Sequence, residues 1–289
     1  MALRDMLGWL PVERWRNPHP VVAVIRFDGV IGSRQGRNTI SLGSHAAALE
    51  HAFSLSGLNA VALAINSPGG SPVQSALLYR RIRQLAEEKS VPVYAFAEDV
   101  AASGGYWLAL AADTVYAEEA SLVGSIGVVT STFGLNQLIE RFGIERRVHT
   151  AGERKSLLDP FLPEDPEDVV RLGALQRDIH DSFKDLVRSR RAGKIDAADT
   201  MLFSGEVLTG RMAVARGLVD GIGDLRGVMR GRFGERVRLV PVVAQRRRRF
   251  WWPRVRPYTV SDPQGIVGAA VGEALDWLET RAIWARFGL

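Results

Sequence analysis

The sequence contains no cysteine. A disulfide framework, a thiolate nucleophile and a zinc site built on cysteine are therefore excluded. Histidine is also scarce, since only five occur among 289 residues, and no two of them stand at metal-ligand spacing beside a carboxylate. We therefore expect a protein that works without a metal.

Nucleotide-binding and membrane-spanning patterns are missing as well. The phosphate-binding pattern Gly-x-x-x-x-Gly-Lys-Ser/Thr does not occur, and the glycines of 221–227 miss the dinucleotide fingerprint by one residue of spacing. The longest uncharged run, 120–139, is too polar and too rich in glycine for a membrane-spanning helix. Residues 1–20 lack the apolar core of a secretory signal and could at most lie on a membrane surface. We therefore expect no cofactor, and a cytoplasmic or peripherally membrane-associated protein.

Basic residues are concentrated near the C-terminus. The chain carries a formal net charge of +5, and residues 226–256 contain eleven arginines and no lysine against one acidic residue, Glu235. Trp251 and Trp252 lie within this stretch. Arginine beside tryptophan suits an anionic membrane surface, and a solvated basic surface is the alternative. Nucleic acid is a weaker third choice, because no recognised nucleic-acid-binding module accompanies the arginines.

From residue 20 onward, short apolar runs alternate with helical patterns, which is typical of an α/β domain. The segments expected to be extended are 21–27, 60–66, 91–97, 114–117 and 145–150. The segments expected to be helical are those starting at 72, then 103–112, 133–142, 167–191, 209–215 and 266–287. We expect an α/β body over 21–223, between an N-terminal segment, 1–20, and a basic C-terminal extension, 224–289.

Two glycine-rich turns follow predicted buried strands. The first, Asn66-Ser-Pro-Gly-Gly70, precedes a helix that has Ser71 as its expected N-cap and Pro72 at its first position. Backbone N–H groups at such a turn can face a developing negative charge, although a plain strand-to-helix connection is the alternative. The second turn places Ser103 at the mouth of a helix among small residues, which resembles a nucleophile elbow. Taken alone, Ser103 fits a helix N-cap better than a nucleophile.

A nucleophilic serine needs a base. His149 is one candidate, but it lies in a segment expected to be extended. Lys155 is the other, with Leu157, Leu158 and Phe161 close behind it in the sequence. Burial among these apolar side chains would disfavour the charged ammonium and leave an amine able to accept a proton. For any single lysine, a solvated surface position is the alternative.

Four motifs occur together: Asn66-Ser-Pro-Gly-Gly70, Ala101-Ala-Ser-Gly-Gly-Tyr106, Gly124-Ser-Ile-Gly-Val128, and Lys155-Ser156 followed by Pro160-Phe161. In this order they resemble the signal peptide peptidase A family, over about residues 21–223. The resemblance implies a ClpP/crotonase-like fold, that is, an α/β spiral of repeated ββα units. It also implies a serine endopeptidase with a Ser/Lys dyad, which cleaves small apolar-rich peptides such as remnant signal peptides.

The same resemblance assigns roles to individual residues. Ser103 would be the nucleophile and Lys155 its general base, with the Ser125 hydroxyl orienting the lysine. Three glycines, Gly69, Gly70 and Gly104, would supply backbone N–H groups to an oxyanion hole. Half-length members of the family imply a cyclic homo-oligomer, in which Ser103 of one subunit meets Lys155 of its neighbour.

Departures from the family pattern keep other functions open. Arg154 stands where family members often have an aromatic residue, and no N-terminal membrane anchor is expected from the sequence. One alternative is a non-proteolytic crotonase-type acyl-CoA enzyme, although such chemistry would more naturally use carboxylates than Lys155 and Ser125. The other is a catalytically weak scaffold associated with a membrane.

Overall fold

The computed structural model describes residues 19–32, 39–152, 154–196, 198–243, 278 and 280–288. Residues 1–18 and 244–277 lie outside this set, so the interfacial role expected for the N-terminus and for the Arg/Trp-rich tail concerns residues that are not described. Most of the predicted helix 266–287 lies outside it too. Within the described ranges, no helix combines the length and hydropathy needed to cross a membrane.

An eight-stranded sheet forms the centre of the molecule. Its strands are β1 (Val21–Asp28), β4 (Leu58–Ser67), β5 (Val93–Ala102), β6 (Thr114–Ala117), β7 (Leu122–Gly124), β8 (Val207–Thr209), β9 (Gly221–Ile222) and β10 (Arg238–Val242). Their order in the sheet is β10-β1-β4-β5-β6-β9, with β7 against β5 and β8 against β7. Two short strands, β2 (Val30–Ile31) and β3 (Thr39–Ile40), pair separately. All pairs are parallel except β7 with β8.

Helices connect the parallel strands. They are α1 (Leu42–Phe53), α2 (Pro72–Lys89), α3 (Gly104–Ala109), α4 (Asn136–Arg141), α5 (Pro166–Arg190), α6 (Gly210–Ala215) and α7 (Leu225–Phe233), with a 3-10 turn at Thr200–Phe203. Strands β4 and β5 are buried almost throughout, as expected for a parallel sheet covered on both faces. The predicted α/β class, with strand–helix units repeated along the chain, is confirmed.

Helix α2 begins where the sequence predicts it. The Ser71 side chain accepts a hydrogen bond from the Gln74 N–H at 3.4 Å, and Pro72 occupies the first turn. Leu78 and Ile82 lie one turn apart on its buried side, fully buried against the sheet. The packing of this helix against the sheet therefore holds the preceding glycine-rich turn at the end of β4.

Several parts of the fold differ from the sequence prediction. Strand β5 continues five residues past the predicted end at Ala97, and residues 145–150 contain no strand. The sheet also continues beyond Gly223, where we expected the body to end. Strand β10 pairs with β1, and α7 buries Met229 against the face of the sheet. The start of the expected extension is thus a packed part of the α/β body.

Helix α5 packs against α3, and its C-terminal end is joined to the residue that precedes β9. Phe183 stacks on Trp107 of α3, with ring centroids 4.7 Å apart. Just after the helix, the Arg191 side chain is 3% exposed and donates to the Asp220 carboxylate at 2.8 Å. Burial alone would raise the pKa of Asp220, but hydrogen bonds from Arg191 and Lys194 outweigh it and hold the pKa below its usual range.

Candidate active site

Ser103 lies between the end of β5 and the start of α3. Its backbone has φ 51° and ψ −120°, which is a sparsely populated conformation for a residue with a side chain. Although Ser103 occupies the N-cap position of α3, its side chain makes no capping hydrogen bond. The backbone is held instead, because the Ser103 N–H donates to the Gly124 carbonyl at 2.8 Å. The half-buried hydroxyl is therefore uncommitted, which removes the helix-cap interpretation.

The two glycine-rich turns meet at this serine. A Cβ added to Gly69 would lie 2.8 Å from the Ser103 Cβ and 2.8 Å from the Gly104 nitrogen. A Cβ added to Gly104 would lie 2.5 Å from the Ser75 Oγ and 3.4 Å from the Gly70 nitrogen. Gly69 is required because the backbone of the second turn lies too close for a side chain. At Gly104 a side chain would collide with the hydroxyl of buried Ser75.

Backbone N–H groups at the meeting point differ in availability. The Gly69 N–H is buried and donates to the Ser67 Oγ at 3.2 Å, so it is already used. Gly70 is exposed, and it lies opposite Ile31 in a parallel bridge. The two hydrogen bonds of that bridge belong to its neighbours, because the Gly69 carbonyl accepts the Ile31 N–H and the Ser71 N–H donates to the Ile31 carbonyl. Among the described residues the Gly70 N–H has no acceptor, and the Gly104 N–H opens α3 without a helical acceptor. Within the described ranges, Gly70 and Gly104 thus provide two backbone donors beside Ser103 that are not used elsewhere.

Ser125 lies next to Ser103 at the same edge of the sheet. Strand β7 pairs in parallel with the end of β5, with Ala102 opposite Gly124, so each serine follows a paired residue. Adjacent strands are about 4.8 Å apart, which brings the two serines into neighbouring positions. Ser125 also has a positive φ of 50°, and its N–H donates to the Glu206 carbonyl at 2.7 Å.

Lys155 lies in a surface loop, and its side chain forms no hydrogen bond or ion pair with any described residue. The expected burial of this lysine is wrong for the single chain: Leu157 is itself 37% exposed, and Phe161 lies instead beneath the Arg146 guanidinium, 5.0 Å from it. His149, the other candidate base, is exposed too. The structure therefore brings five of the six predicted residues together and gives no contact between Lys155 and Ser103.

The segment around Lys155 exposes many apolar side chains. We call residues 129–152 and 154–165 the Lys155 arm; it includes α4, which has no buried residue. The arm is held together by few bonds, among them Leu135 N–H to Pro160 carbonyl at 2.6 Å and Arg146 to Asp159 at 2.9 Å. Its exposed large apolar residues are Val129, Phe133, Leu138, Phe142, Ile144, Val148, Leu157 and Leu162. An exposed apolar surface of this extent is typical of a surface that binds another molecule.

Three polar residues near the site were not singled out from the sequence. Ser67 and Ser75 are fully buried and contact the glycines, and the Nε2 of His180 lies 3.0 Å from the Ile126 carbonyl, next to Ser125. The first two were visible only as polar residues within or just after a glycine motif. In the described part of the chain, no group of three or more acidic or histidine side chains is arranged to hold a metal.

Comparison with known families gives one match. The family model described as peptidase family S49 matches residues 85–231, which is half of the chain and includes Ser103, Ser125 and Lys155. This match confirms the resemblance found in the motifs, and at the level of the family it confirms the predicted class of enzyme, a serine peptidase.

Two relatives that match in sequence are longer proteins than this chain. The chain is 47% identical over 295 aligned positions to a Na(+)/H(+) antiporter NhaA of Brucella abortus, covering 100% of this chain and 40% of that protein. It is 38% identical over 167 residues to the chloroplastic serine protease SPPA of Arabidopsis thaliana, covering 57% of this chain and 24% of the relative. A solved membrane-bound stomatin-specific protease is 14% identical with a TM-score of 0.46, covering 79% of this chain and 95% of that one. The chain thus spans less than half the length of the Brucella abortus and Arabidopsis thaliana relatives.

Proposed function

The chain belongs to peptidase family S49, and on this premise we propose that it is a serine endopeptidase with Ser103 as nucleophile and Lys155 as general base. One observation carries the assignment of Ser103. Its hydroxyl is free of the capping bond that its position would allow, and it lies beside two backbone N–H groups that have no acceptor among the described residues. Strained backbone is retained where the surrounding structure demands it, and active sites are the usual place.

The proposed reaction is acyl transfer. The Ser103 Oγ attacks the carbonyl carbon of the peptide bond, while Lys155 in its neutral form takes the hydroxyl proton. The negative charge that develops on the carbonyl oxygen is stabilised by the N–H groups of Gly70 and Gly104. The lysine then returns the proton to the leaving amine, and water hydrolyses the acyl-enzyme by the same steps. We propose small apolar-rich peptides, including remnant signal peptides, as substrates from the family resemblance.

We propose that the site is completed by a second copy of the chain in a cyclic homo-oligomer. Two observations support this: Lys155 is exposed without a partner among the described residues, and the Lys155 arm around it exposes eight large apolar side chains. A head-to-tail interface that buries the arm would place Lys155 of one subunit against Ser103 and Ser125 of the next. Burial in that interface would also disfavour the charged form of the amine, as a general base requires.

Covalent labelling by a fluorophosphonate tests the proposed nucleophile. The reagent forms a stable bond only with a serine that is activated and has an oxyanion hole beside it. We expect one adduct per chain in the intact-protein mass spectrum, with peptide mapping placing it on Ser103. Ser54→Ala, which changes an exposed serine at the end of α1, should label like the wild type. No adduct, or an adduct at another serine, would contradict the assignment and favour an acyl-CoA enzyme or a scaffold.

A further inference from the structure

Just before the candidate site, the two central strands lose their regular register. Ile65 of β4 pairs with Ala97 of β5, whereas Ser67 pairs with Ala101. One residue of β4 therefore stands opposite three residues of β5, 98–100. Such a bulge interrupts the ladder of backbone hydrogen bonds and leaves donors without a strand partner.

The side chain of Asn66 fills the gap in the ladder. Its Oδ1 accepts a hydrogen bond from the N–H of Val100 at 3.2 Å, and Val100 is fully buried. Its Nδ2 donates to the Asp99 carboxylate at 3.2 Å. The amide thus satisfies one backbone N–H that the bulge leaves without a strand partner, and its second bond, to the Asp99 side chain, fixes the orientation of the amide.

Asn66 also begins the turn that carries the free Gly70 N–H. Its own carbonyl accepts the Gly29 N–H at 3.0 Å, and the next residue, Ser67, accepts the Gly69 N–H through its buried Oγ. Ser67 is therefore bonded to the Gly70 turn, and Asn66 is bonded to the bulge of β5. Only two residues, Ala101 and Ala102, lie between Val100 and Ser103.

We propose that Asn66 is a positioning residue, which holds the bulged end of β5, and with it Ser103, in register with the free N–H groups of Gly70 and Gly104. The inference rests on the proposed function. Asn66 contacts neither Ser103 nor the two donors and acts through Val100 and Asp99. A displacement of about 1 Å between a nucleophile and its oxyanion donors is enough to lower kcat strongly, so a fixed bulge matters to the chemistry.

A pair of matched variants separates this role from simple stability. Asn59 lies at the other end of the same strand, and its Oδ1 accepts the N–H of buried Val21 at 2.9 Å. Asn66→Ala and Asn59→Ala therefore each leave one buried strand N–H without its acceptor. We expect Asn66→Ala to lower kcat roughly 100-fold with little change in KM. We expect Asn59→Ala to change kcat by less than about twofold, since it lies far from the site. Melting temperatures should fall by similar amounts in both.

An exchange of the amide and the carboxylate gives a rescue test. Asn66→Asp keeps an acceptor for the Val100 N–H but sets two carboxylates against each other, so kcat should fall about tenfold. Adding Asp99→Asn restores the hydrogen bond with the amide at position 99 as donor and the carboxylate at position 66 as acceptor. The kcat of the double variant should therefore recover to within about threefold of the wild-type value. Cleavage of an apolar fluorogenic peptide measures both, with Ser103→Ala as the baseline.

The outcomes separate a failure of the proposed peptidase function from a failure of the positioning role of Asn66. If the wild type shows no cleavage above the Ser103→Ala baseline, the proposed function fails, and this inference fails with it. If the wild type is active and Asn66→Ala loses only stability, as Asn59→Ala does, the positioning role alone is wrong. Recovery of melting temperature without recovery of kcat in the double variant would likewise overturn it.

Discussion

Ser103→Ala is expected to abolish peptide cleavage, with a loss in kcat of at least about 10⁴-fold, as removal of a serine nucleophile does in other serine hydrolases. The fold should survive. The Ser103 side chain makes no capping hydrogen bond, so its removal should cost less than about 0.5 kcal/mol of unfolding free energy. Cleavage of an apolar fluorogenic peptide and the thermal midpoint would be measured on the same preparation.

A second substitution at the same position serves as the control. Ser103→Gly also removes the hydroxyl, but it relieves the positive φ of 51° and should raise the unfolding free energy by about 1 kcal/mol. An inactive Ser103→Gly chain that is more stable than the wild type would show that activity and stability are opposed at this residue. Cleavage retained in both variants would rule out Ser103 as the nucleophile.

Lys155→Arg is expected to lose at least about 100-fold in kcat, although the substitution preserves the positive charge. A guanidinium does not release its proton in the neutral pH range, so it cannot take the proton of a serine hydroxyl. Lys155→Ala should be equally inactive. Lys89→Arg is the matched control, because Lys89 is an exposed lysine at the end of α2 and should tolerate the change. A Lys155→Arg chain with normal kcat would exclude the lysine as base.

Local signals in the sequence were sufficient to predict several of the helices and strands. The start of α2 at Pro72 followed from a serine cap and a proline, and strand 114–117 followed from a short β-rich run. The same signals failed where small residues are ambiguous. Ala101 and Ala102 read as part of a turn, yet they extend β5, because β7 supplies a neighbour on that side. Burial by a strand that follows later in the chain cannot be read from a local pattern.

Long-range pairing explains the other differences. Strand β10 joins β1 across more than two hundred residues of chain, so the body ends later than the expected boundary at Gly223. The motifs located Ser103, Ser125 and the glycines, but their meeting depends on the pairing of β7 with β5 and on the bulge opposite Asn66. The surroundings of Lys155 were mispredicted because its apolar sequence neighbours do not fold over it within one chain. In the proposed homo-oligomer, a second copy would bury Lys155, and the residues next to Lys155 in the sequence do not reveal that contact.

Mixing two inactive variants tests the central claim most directly. Ser103→Ala and Lys155→Ala chains would be combined in equal amounts under conditions that allow subunit exchange, and exchange would be verified by native mass spectrometry. If sites are shared head-to-tail, an intact Ser103 faces an intact Lys155 at one interface in four, so about one quarter of the wild-type activity should return. If the exchanged mixture stays inactive while the wild type cleaves the same peptide, the site is not shared between subunits and the account is contradicted.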